Sequence, residues 1–378
     1  MAAAAAEVDI ELFVLDDGWF GERNDDTSSL GDWYVNEEKL PRGLEYLAQE
    51  INKLGLDFGL WFEPEMISPD SDLYRQHPEW AIQVENREPS LSRQQLILDL
   101  SRRDVQDYII ERVSAILNGA NISYVKWDMN RPMTEYGSLK LKAERQRELN
   151  HLYILGLYRV LAEITAKFPD ILFESCAGGG GRFDPGMLYY MPQTWTSDDT
   201  DAVERLKIQY GTSMVYPAAA VGAHVSAVPN HQVERSTSLK MRYDVASFAN
   251  LGYELDITEL NEEEIKAVKA QVNNYKEIRG LVQFGDFYRL RSPFLGNFTA
   301  WSYLTENKKE LLVGFYQVLA SPNPASEKLK LKGLDAEADY KELNSGEIFG
   351  GDELMNYGLK VPLVKEDFVS KVWRFKQI

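Results

Sequence analysis

The sequence has few of the residues that build covalent or metal-held frameworks. Only one cysteine, Cys176, is present among 378 residues, which excludes an internal disulfide and favours a reducing compartment. The four histidines are scattered and show neither an HExxH pattern nor a paired-cysteine spacing. We therefore expect no metal site of the transition-metal kind.

Positive charge and long apolar runs are also scarce. The chain carries 41 Lys and Arg against 59 Asp and Glu, a formal net charge of −18. Such a chain repels phosphates, so we expect no nucleic acid and no anionic membrane as a partner. No apolar run approaches the ~18–20 residues that span a bilayer. The apolar start, residues 1–6, lacks the basic segment of a signal peptide, so a cytoplasmic protein with a neutral ligand is the expectation.

What the sequence does contain is enough apolar residues for a large interior, at 44% hydrophobic and 12% aromatic. Short apolar runs alternate with helical patterns from residue 11 to about 255, which is typical of a parallel sheet covered by helices. The seven predicted strands lie at 11–17, 57–65, 96–100, 123–130, 171–176, 194–199 and 218–227. Seven is one short of a (β/α)8 barrel, so the barrel is open or a first strand lies outside this chain.

The pattern changes in the last third of the chain. Asn261 and Glu264 form the signature of a capping box, which predicts the start of a long helix. Beyond this helix, apolar and polar residues alternate as in an antiparallel sheet. We therefore predict an α/β fold with a (β/α)8-type TIM barrel over residues 1–285 and an antiparallel β-sandwich domain over residues 286–378.

Six of the seven predicted strands end in acidic residues. These are Asp16, Asp17, Glu63, Glu65, Asp99, Asp128, Glu174, Asp198 and Asp199. The carboxyl ends of barrel strands meet on one face, which carries the active site in such enzymes. One acid at a strand end is commonly a helix cap, but a ring of acids repels itself and calls for a chemical use. Glycoside hydrolysis needs two carboxylates and nothing else, and a Mg²⁺ site is the competing interpretation.

Two of these strand ends suggest how the acids are tuned. In YVKWDMNR, Lys126 and Asp128 are two residues apart and fall on the same face of a strand. A nearby ammonium favours the ionised carboxylate that a nucleophile needs, although a buried ion pair without catalysis is the alternative. In TWTSDDTD, the Trp195 indole desolvates a neighbouring carboxyl, as a proton donor requires. Spacing does not choose between Asp198 and Asp199.

Aromatic and glycine residues accompany the acids. Four tryptophans lie at or beyond predicted strand ends, namely Trp19, Trp61, Trp127 and Trp195. Flat indole rings match the C–H faces of a sugar, and core packing is the alternative role for each. The glycine-rich run CAGGGGR (176–182) lacks the GK[ST] ending of a phosphate loop. It predicts instead a loop that lets the backbone approach a ligand.

Five ordered motifs resemble the α-galactosidases of glycoside hydrolase family 36, within a similarity that runs from about residue 11 to the C-terminus. They are LDDGWFGERNDDTSSLGDW (15–33), GLWFEPEM (59–66), YVKWDMNR (124–131), ESCAGGGGRFDPGML (174–188) and WTSDDTDAVERLKIQYGTS (195–213). The resemblance implies a retaining α-galactosidase with Asp128 as nucleophile and Asp198 as acid/base. It implies melibiose, raffinose-type oligosaccharides and other terminal α-1,6-galactosides as substrates, and no cofactor.

The resemblance also implies a set of sugar contacts. Asp16 and Asp17 would bind the galactose 4- and 6-hydroxyls, and Lys126 would contact the ring hydroxyls. The other implied neighbours of the galactose are Arg93, Asn130, Cys176 and Gly178, with Trp61 and Trp195 as walls. A retaining mechanism further implies two carboxyl groups about 5–5.5 Å apart.

The sequence departs from the family at its front. In full-length members of the family that this chain resembles, an N-terminal β-supersandwich precedes the barrel and a C-terminal β-domain follows it. The sandwich and the family's first barrel strand have no counterpart here, so the barrel is expected to be N-terminally truncated. The resemblance implies a homo-oligomer, although the family's tetramer does not follow without the N-terminal domain. Two alternatives remain at this point: galactosyl transfer of the raffinose-synthase type, and a catalytically silent galactoside-binding fragment.

Overall fold

The computed structural model describes residues 1–323, 326–362 and 364–378 of the chain. These residues form two compact units, Met1–Trp195 and Thr196–Ile378. The predicted domains, 1–285 and 286–378, divide the chain by strand pattern rather than by compactness. That boundary stays a prediction.

The first unit is organised around a parallel sheet of five strands. The strands of this unit are β1 Leu12–Leu15, β2 Asp57–Phe62, β3 Met66–Ile67, β4 Leu96–Ile97, β5 Tyr124–Trp127, β6 Leu172–Ser175 and β7 Gln193–Trp195. Within the parallel sheet the order is β1–β2–β5–β6–β7. The chain therefore adds each strand beside the previous one, and the strand ends that carry the acids fall on one edge.

The strand predicted at 96–100 is wrong as a member of this sheet. β4 covers two residues and pairs antiparallel with β3, outside the parallel sheet. Leu96, Ile97 and Leu98 are all buried, so the apolar run reports burial correctly. A short apolar run does not by itself say which sheet a segment joins. The run ends where Asp99 accepts hydrogen bonds from the backbone and hydroxyl of Ser101 and turns the chain.

The helices of the first unit cover the parallel sheet. They are α1 Ala2–Glu7, α2 Gly43–Lys53, α3 Asp72–Gln76, α4 Arg103–Gly119, α5 Leu149–Lys167 and α6 Pro185–Tyr190, with short 3-10 turns at Pro78–Trp80 and Ala143–Glu148. The buried faces of α2 and α4 are apolar, with Leu44, Ala48 and Ile51 buried on α2 and Val105, Ile109 and Val113 buried on α4. Gly55, just beyond α2, adopts a left-handed φ of +84°, which glycine tolerates at a helix end.

Close packing fixes β1, β2 and β5 against one another. All residues of β2 after Asp57 are buried. A Cβ added at Gly59 would lie 2.9 Å from Val14 Cγ2 and 3.1 Å from Tyr124 Cβ. Glycine at this position lets the neighbouring strands approach, and these three strands lead to Asp16, Glu63 and Asp128.

The second unit contains two parallel strands and an antiparallel sheet. Its strands are β8 Val221–Ser226, β9 Asn250–Glu254, β10 Asp286–Arg291, β11 Phe298–Leu304, β12 Glu310–Gln317, β13 Glu327–Leu329, β14 Asp339–Glu342, β15 Ile348–Gly350, β16 Leu359–Val361 and β17 Val369–Gln377. β8 and β9 pair in parallel. The antiparallel sheet has the order β10–β11–β12–β17–β14–β15, and β13 pairs with β16.

The helices of the second unit are α7 Ala202–Thr212, α8 Leu239–Ala246, α9 Glu262–Phe284 and α10 Gly351–Asn356, with 3-10 turns at Ala218–Ala220 and Ile257–Glu259. The capping box predicted at the start of α9 is confirmed, because the Asn261 and Glu264 side chains each accept the other's backbone N–H. Antiparallel strands begin at residue 286, where the sequence places them.

The strand pattern of the sequence does not predict β9. Its residues NLGYE are half-buried or exposed and include asparagine and glycine, which are uncommon in strands. The described chain therefore has seven parallel strands of the barrel type, five in the first unit and two in the second. The predicted number of parallel strands is right, but it includes β9 and not residues 96–100.

None of the helices in the described part of the chain combines the length and the apolar character that crossing a membrane requires.

Candidate active site

Asp128 is the first residue after β5 and is 5% exposed. Its Oδ2 accepts hydrogen bonds from Trp61 Nε1 at 3.1 Å and from Asn130 Nδ2 at 2.7 Å. Its Oδ1 accepts from the Met129 backbone N–H at 2.8 Å. Donors on both oxygens stabilise the carboxylate charge and fix its orientation, as an oriented nucleophile requires.

Lys126 lies on β5, two residues before Asp128, and its direct ion pair is with Asp16. The distance from Lys126 Nζ to Asp16 Oδ2 is 3.0 Å. Burial acts to lower the pKa of Lys126, but the negative charge of Asp16, with smaller contributions from groups that include Asp128, raises it above its ordinary value. The lysine is therefore a fixed cation in the field of both carboxylates. The pair expected from spacing alone, Lys126 with Asp128, is an electrostatic neighbour rather than a contact.

Asp17 is held by a residue that the sequence did not single out. The buried Arg23 guanidinium donates to the Asp17 carboxylate through Nε at 3.0 Å and Nη2 at 2.8 Å. The Asp17 backbone N–H in turn donates to Asp16 Oδ1 at 2.8 Å. The two adjacent aspartates are thus each paired with a different cation, and the Asp16 side chain remains 60% exposed. Arg23 lies inside the first family motif, but nothing local marks it as the partner of Asp17.

Glu65 is a fully buried carboxylate behind the strand ends. It accepts hydrogen bonds from Trp127 Nε1 at 2.9 Å, from Arg182 Nη1 at 2.8 Å and from the Tyr153 hydroxyl. Burial acts to lower the pKa of Arg182, but Glu65 raises it above its ordinary value, so the pair is ionic. This pair ties the glycine-rich run 176–182 to the end of β2.

Glu63, two residues earlier, is equally buried but differently surrounded. Its Oε1 accepts the Asn130 backbone N–H, and its Oε2 lies 3.5 Å from Gln95 Nε2. Burial, and next the charge of Asp128, raise the pKa of Glu63 to about 8, against the hydrogen bonds from Asn130. The carboxyl is therefore protonated at neutral pH.

Cys176 begins the glycine-rich run and is a buried free thiol. Its backbone N–H donates to the Trp127 carbonyl at 2.8 Å. Burial, and next the charge of Asp128, raise the pKa of the Cys176 thiol above its ordinary value. The thiol is therefore protonated beside the nucleophile candidate. Gly178 is exposed with a left-handed φ of +53° and has open space where a side chain would be.

Arg93 lies on an exposed turn with strained backbone. Arg93 and Gln94 both have positive φ, +51° and +54°, and the Gln95 N–H closes the turn on the Ser92 carbonyl at 3.0 Å. Non-glycine residues rarely adopt this conformation, and such strain concentrates at functional sites. The Arg93 charge acts on Glu63 and lowers its pKa slightly against the larger effect of burial.

The four tryptophans singled out by the sequence are at most 3% exposed. The Trp61 indole N–H donates to Asp128, the Trp127 N–H to Glu65, and the Trp19 N–H to the Trp61 carbonyl at 2.9 Å. Trp19 also packs edge-on against Phe62. Trp19 and Trp127 are therefore core residues, and a role for Trp61 and Trp195 as walls for a sugar stays a prediction.

In the second unit, the segment after Thr196 carries the two candidate proton donors, Asp198 and Asp199. Asp199 Oδ1 accepts the Asp201 backbone N–H at 3.0 Å, and Asp201 caps α7 by accepting from Val203 and Glu204. Asp201 also forms an ion pair with Arg235. Asp199 thus has a local structural role, whereas the Asp198 side chain is exposed. The choice of Asp198 over Asp199 as acid/base stays a prediction from the family resemblance.

The remaining strand-end acids have protein partners. Asp99 accepts hydrogen bonds from Ser138 and Ser101, and Glu174 accepts one from Gln193. In residues 1–323, 326–362 and 364–378, no group of three or more His, Cys, Asp or Glu is placed to hold a metal ion. Asp99 and Glu174 are therefore satisfied by protein donors.

The strands and their terminal acids define a class of protein. A (β/α)8-type arrangement whose strand ends hold an oriented, buried carboxylate and an adjacent ion-paired carboxylate is the architecture of a barrel enzyme that acts through carboxylates.

Comparison with known families defines the class further. The melibiase family model matches residues 1–285, and the model of the glycosyl hydrolase family 36 C-terminal domain matches residues 298–375. The chain belongs to the melibiase family, in glycosyl hydrolase family 36.

Curated relatives agree with this assignment. The chain is 62% identical over 378 residues to the α-galactosidase AgaA of Geobacillus stearothermophilus, covering all of this chain and 52% of that protein. It is 50% identical over 374 residues to α-galactosidase 1 of Pediococcus pentosaceus, covering 99% of this chain and 51% of the relative. The chain spans about half the length of the curated relatives it matches.

Solved structures confirm the fold class. The crystal structure of Geobacillus stearothermophilus AgaA matches with a TM-score of 0.98 and 62% identity, over all of this chain and 52% of that one. A variant of AgaA in complex with raffinose matches with a TM-score of 0.98 and 61% identity, at the same coverage. The predicted barrel with seven strands in this chain, followed by an antiparallel β domain, is therefore right.

Proposed function

We propose that the chain is a retaining α-galactosidase that removes terminal α-1,6-linked galactose from melibiose- and raffinose-type oligosaccharides. The observation that supports this most directly is Asp128, a buried carboxylate oriented by Trp61, Asn130 and Met129 at the end of a barrel strand. Variants of the relative AgaA bind raffinose and stachyose, which supports the choice of substrate class.

In the first step, Asp128 attacks the anomeric carbon of galactose, and the bond to the leaving oxygen breaks. Asp198 gives its proton to that oxygen, so the aglycone leaves as a neutral alcohol. The product is a galactosyl ester of Asp128. The hydrogen bonds from Trp61 and Asn130 hold the attacking carboxylate in one orientation, which lowers the entropic part of the barrier.

In the second step, Asp198 acts as a base. It takes a proton from water, and the oxygen of that water attacks the anomeric carbon while the ester bond to Asp128 breaks. Two inversions give net retention, and both carboxyls return to their starting forms.

Charged groups near Asp128 suit a polyhydroxylated, neutral ligand. The exposed carboxylate of Asp16 can accept hydrogen bonds from sugar hydroxyls. Lys126, its ion-pair partner, can donate hydrogen bonds to sugar oxygens. Asp17 is oriented for the same use by Arg23. The further sugar contacts in this proposal are Trp61, Arg93, Asn130, Cys176, Gly178 and Trp195.

The test is release of nitrophenol from p-nitrophenyl α-galactoside by the purified chain. Wild type is expected to turn over, and Asp128→Asn is expected to be inactive with an unchanged melting temperature. Asp99→Asn is the matched control, because Asp99 is also a buried carboxyl but hydrogen-bonds to Ser138 and Ser101. Full activity in Asp128→Asn would contradict the assignment.

Two other outcomes have their own meaning. A wild-type chain that releases no nitrophenol but melts at a higher temperature in galactose is a galactoside-binding fragment. If the chain forms a trisaccharide from added sucrose faster than it releases free galactose, it is a galactosyltransferase.

Location and assembly complete the proposal. We propose a cytoplasmic location, in keeping with the free thiol of Cys176, and cell fractionation tests it. A homo-oligomer, the family's assembly, is tested by sedimentation of the purified chain.

A further inference from the structure

We propose that Glu63 is a positioning residue for the nucleophile Asp128, and that it acts through Asn130. This inference rests on the proposed function. Glu63 does not touch the carboxylate of Asp128 through a hydrogen bond of its own. It holds the segment from which a second side chain reaches that carboxylate.

The end of β2 holds the segment after β5 at two consecutive points. The Asp128 backbone N–H donates to the Phe62 carbonyl at 2.7 Å, and the Asn130 backbone N–H donates to Glu63 Oε1. From that anchored backbone, Asn130 Nδ2 reaches Asp128 Oδ2 at 2.7 Å. Removing the Glu63 acceptor therefore frees the residue that supplies the shorter of the two hydrogen bonds to Oδ2.

Stability alone does not account for a glutamate at this position. Within the described residues, no lysine or arginine lies within ion-pair distance of Glu63, although its side chain is fully buried. A buried carboxyl without a cation destabilises a fold compared with an apolar side chain of the same size. Sites where a sequence keeps such a group are commonly functional sites.

The second side of Glu63 faces a neutral partner. Gln95 Nε2 lies 3.5 Å from Glu63 Oε2, and the buried Gln95 Oε1 has no hydrogen-bond partner among the described residues. Because the two ends of an amide have nearly the same shape, a 180° turn of Gln95 places Oε1 opposite Glu63. A protonated Glu63 then donates to it. Arg131 Nη1 fixes Gln95 through its carbonyl at 2.7 Å, so Glu63 is held from both sides.

Charged neighbours of Glu63 come from three segments. Asp128 follows β5, Arg93 lies on the turn at 92–95, and Glu65 on its own segment is paired with Arg182. The charge of Asp128 raises the pKa of Glu63 and that of Arg93 lowers it, and burial and Asp128 together favour the protonated form. The neutral carboxyl can therefore anchor Asn130 without placing a second negative charge beside the nucleophile.

The test is a double-mutant cycle on nitrophenyl α-galactoside turnover. Glu63→Ala is expected to lower kcat about 100-fold with little change in KM, since a misplaced nucleophile slows chemistry rather than binding. Asn130→Ala is expected to lower kcat by at least this factor and, since Asn130 is also a proposed sugar contact, to raise KM. Adding Glu63→Ala to Asn130→Ala is expected to lower kcat no further. Glu63→Gln keeps an acceptor for the Asn130 N–H and is expected to retain most of the activity. Asp99→Asn is the control for removal of a buried carboxyl.

Three results would overturn the proposal. They are multiplicative losses in the double variant, an unchanged kcat in a folded Glu63→Ala, or a Glu63→Gln as slow as Glu63→Ala. Should Glu63→Ala not fold, Glu63→Met supplies the same test with a side chain of similar length. If neither folds, Glu63 serves stability and the proposal fails.

A crystal structure of Glu63→Ala separates this inference from the proposed function. The Asn130 Nδ2 to Asp128 Oδ2 distance is expected to exceed the 3.5 Å limit of a hydrogen bond. If the wild-type chain is inactive, the proposed function is wrong. The Asn130–Asp128 distance in Glu63→Ala then still tests the role of Glu63. An intact 2.7 Å contact without Glu63 would defeat the inference alone.

Discussion

Glu63 and Glu65 stand two residues apart at the end of β2, and both are fully buried, yet their surroundings differ. Glu65 is matched by the Arg182 guanidinium, an indole N–H and a phenol. The hydrogen-bond partners of Glu63 are amides, and it faces the charge of Asp128. The difference shows that burial of an acid does not reveal its use. An acid paired with a buried cation stabilises the fold, whereas a buried acid without a cation is more often part of a functional site.

The largest effect on the free energy of unfolding is expected from substitution of Glu65. Glu65→Ala leaves the Arg182 charge buried without its carboxylate, so the free energy of unfolding should fall by about 3–5 kcal/mol. Urea denaturation measures it. The double variant Glu65→Gln/Arg182→Met should recover most of the loss. If Glu65→Ala is as stable as wild type, the contrast with Glu63 disappears.

Glu63 should make the free energy of unfolding depend on pH. Its pKa is raised from 4.5 to about 8 in the folded chain, so the folded state keeps a proton that the unfolded state has lost. Between these pH values the free energy of unfolding should therefore fall as pH rises, by up to about 1.4 kcal/mol per pH unit from this group. Below pH 4.5 and above pH 8 the contribution is flat.

Glu63→Gln has no proton to lose, and its stability minus that of wild type should rise across the same pH window. Urea denaturation at pH 5, 7 and 9 gives the comparison. A difference independent of pH would show that Glu63 titrates normally.

Trp61 and Trp127 each donate one indole hydrogen bond to a buried carboxylate. The Trp61 N–H donates to Asp128, and the Trp127 N–H donates to Glu65. A hydrogen bond to a charged group contributes about 1.5–3 kcal/mol. Trp61→Phe should therefore lower kcat/KM by about 10- to 100-fold, while Trp127→Phe should lower the free energy of unfolding by about 1.5–3 kcal/mol and change kcat/KM less. The reverse pattern would contradict the division into chemistry and structure.

The smallest effect is expected at Gly178. Its φ of +53° is unfavourable for a side chain, but the space beside it is open. Gly178→Ala should therefore lower the free energy of unfolding by only about 1 kcal/mol. A loss of several kcal/mol would indicate a steric role for this glycine in addition to its backbone conformation.

Much of the fold was predictable because its strands and helices carry strong local patterns. β2 and β5 are apolar and aromatic runs between clear breaks, and the capping box of α9 is a local signature. The errors occur where local pattern and tertiary role separate. Residues 96–100 are apolar but pair outside the parallel sheet, and β9 joins β8 with a weakly apolar sequence.

The candidate site was predictable at the residues that lie in motifs, but their partners were not. Glu65 and Arg182 are 117 positions apart, and Lys126 and Asp16 are 110 apart. Only the folded sheet brings such residues together, so spacing paired Lys126 with its near neighbour Asp128. The same limit hid the contrast between Glu63 and Glu65, since both are acids of one WFEPE segment.

The central claim is that Asp128 forms a bond to galactose. A fluorinated galactosyl fluoride, which forms the glycosyl ester but hydrolyses slowly, traps that bond for peptide mapping by mass spectrometry. We expect one added sugar on the peptide that contains Asp128 and no label on Asp128→Asn. A label on any other carboxylate, or turnover with no covalent label at all, would contradict it.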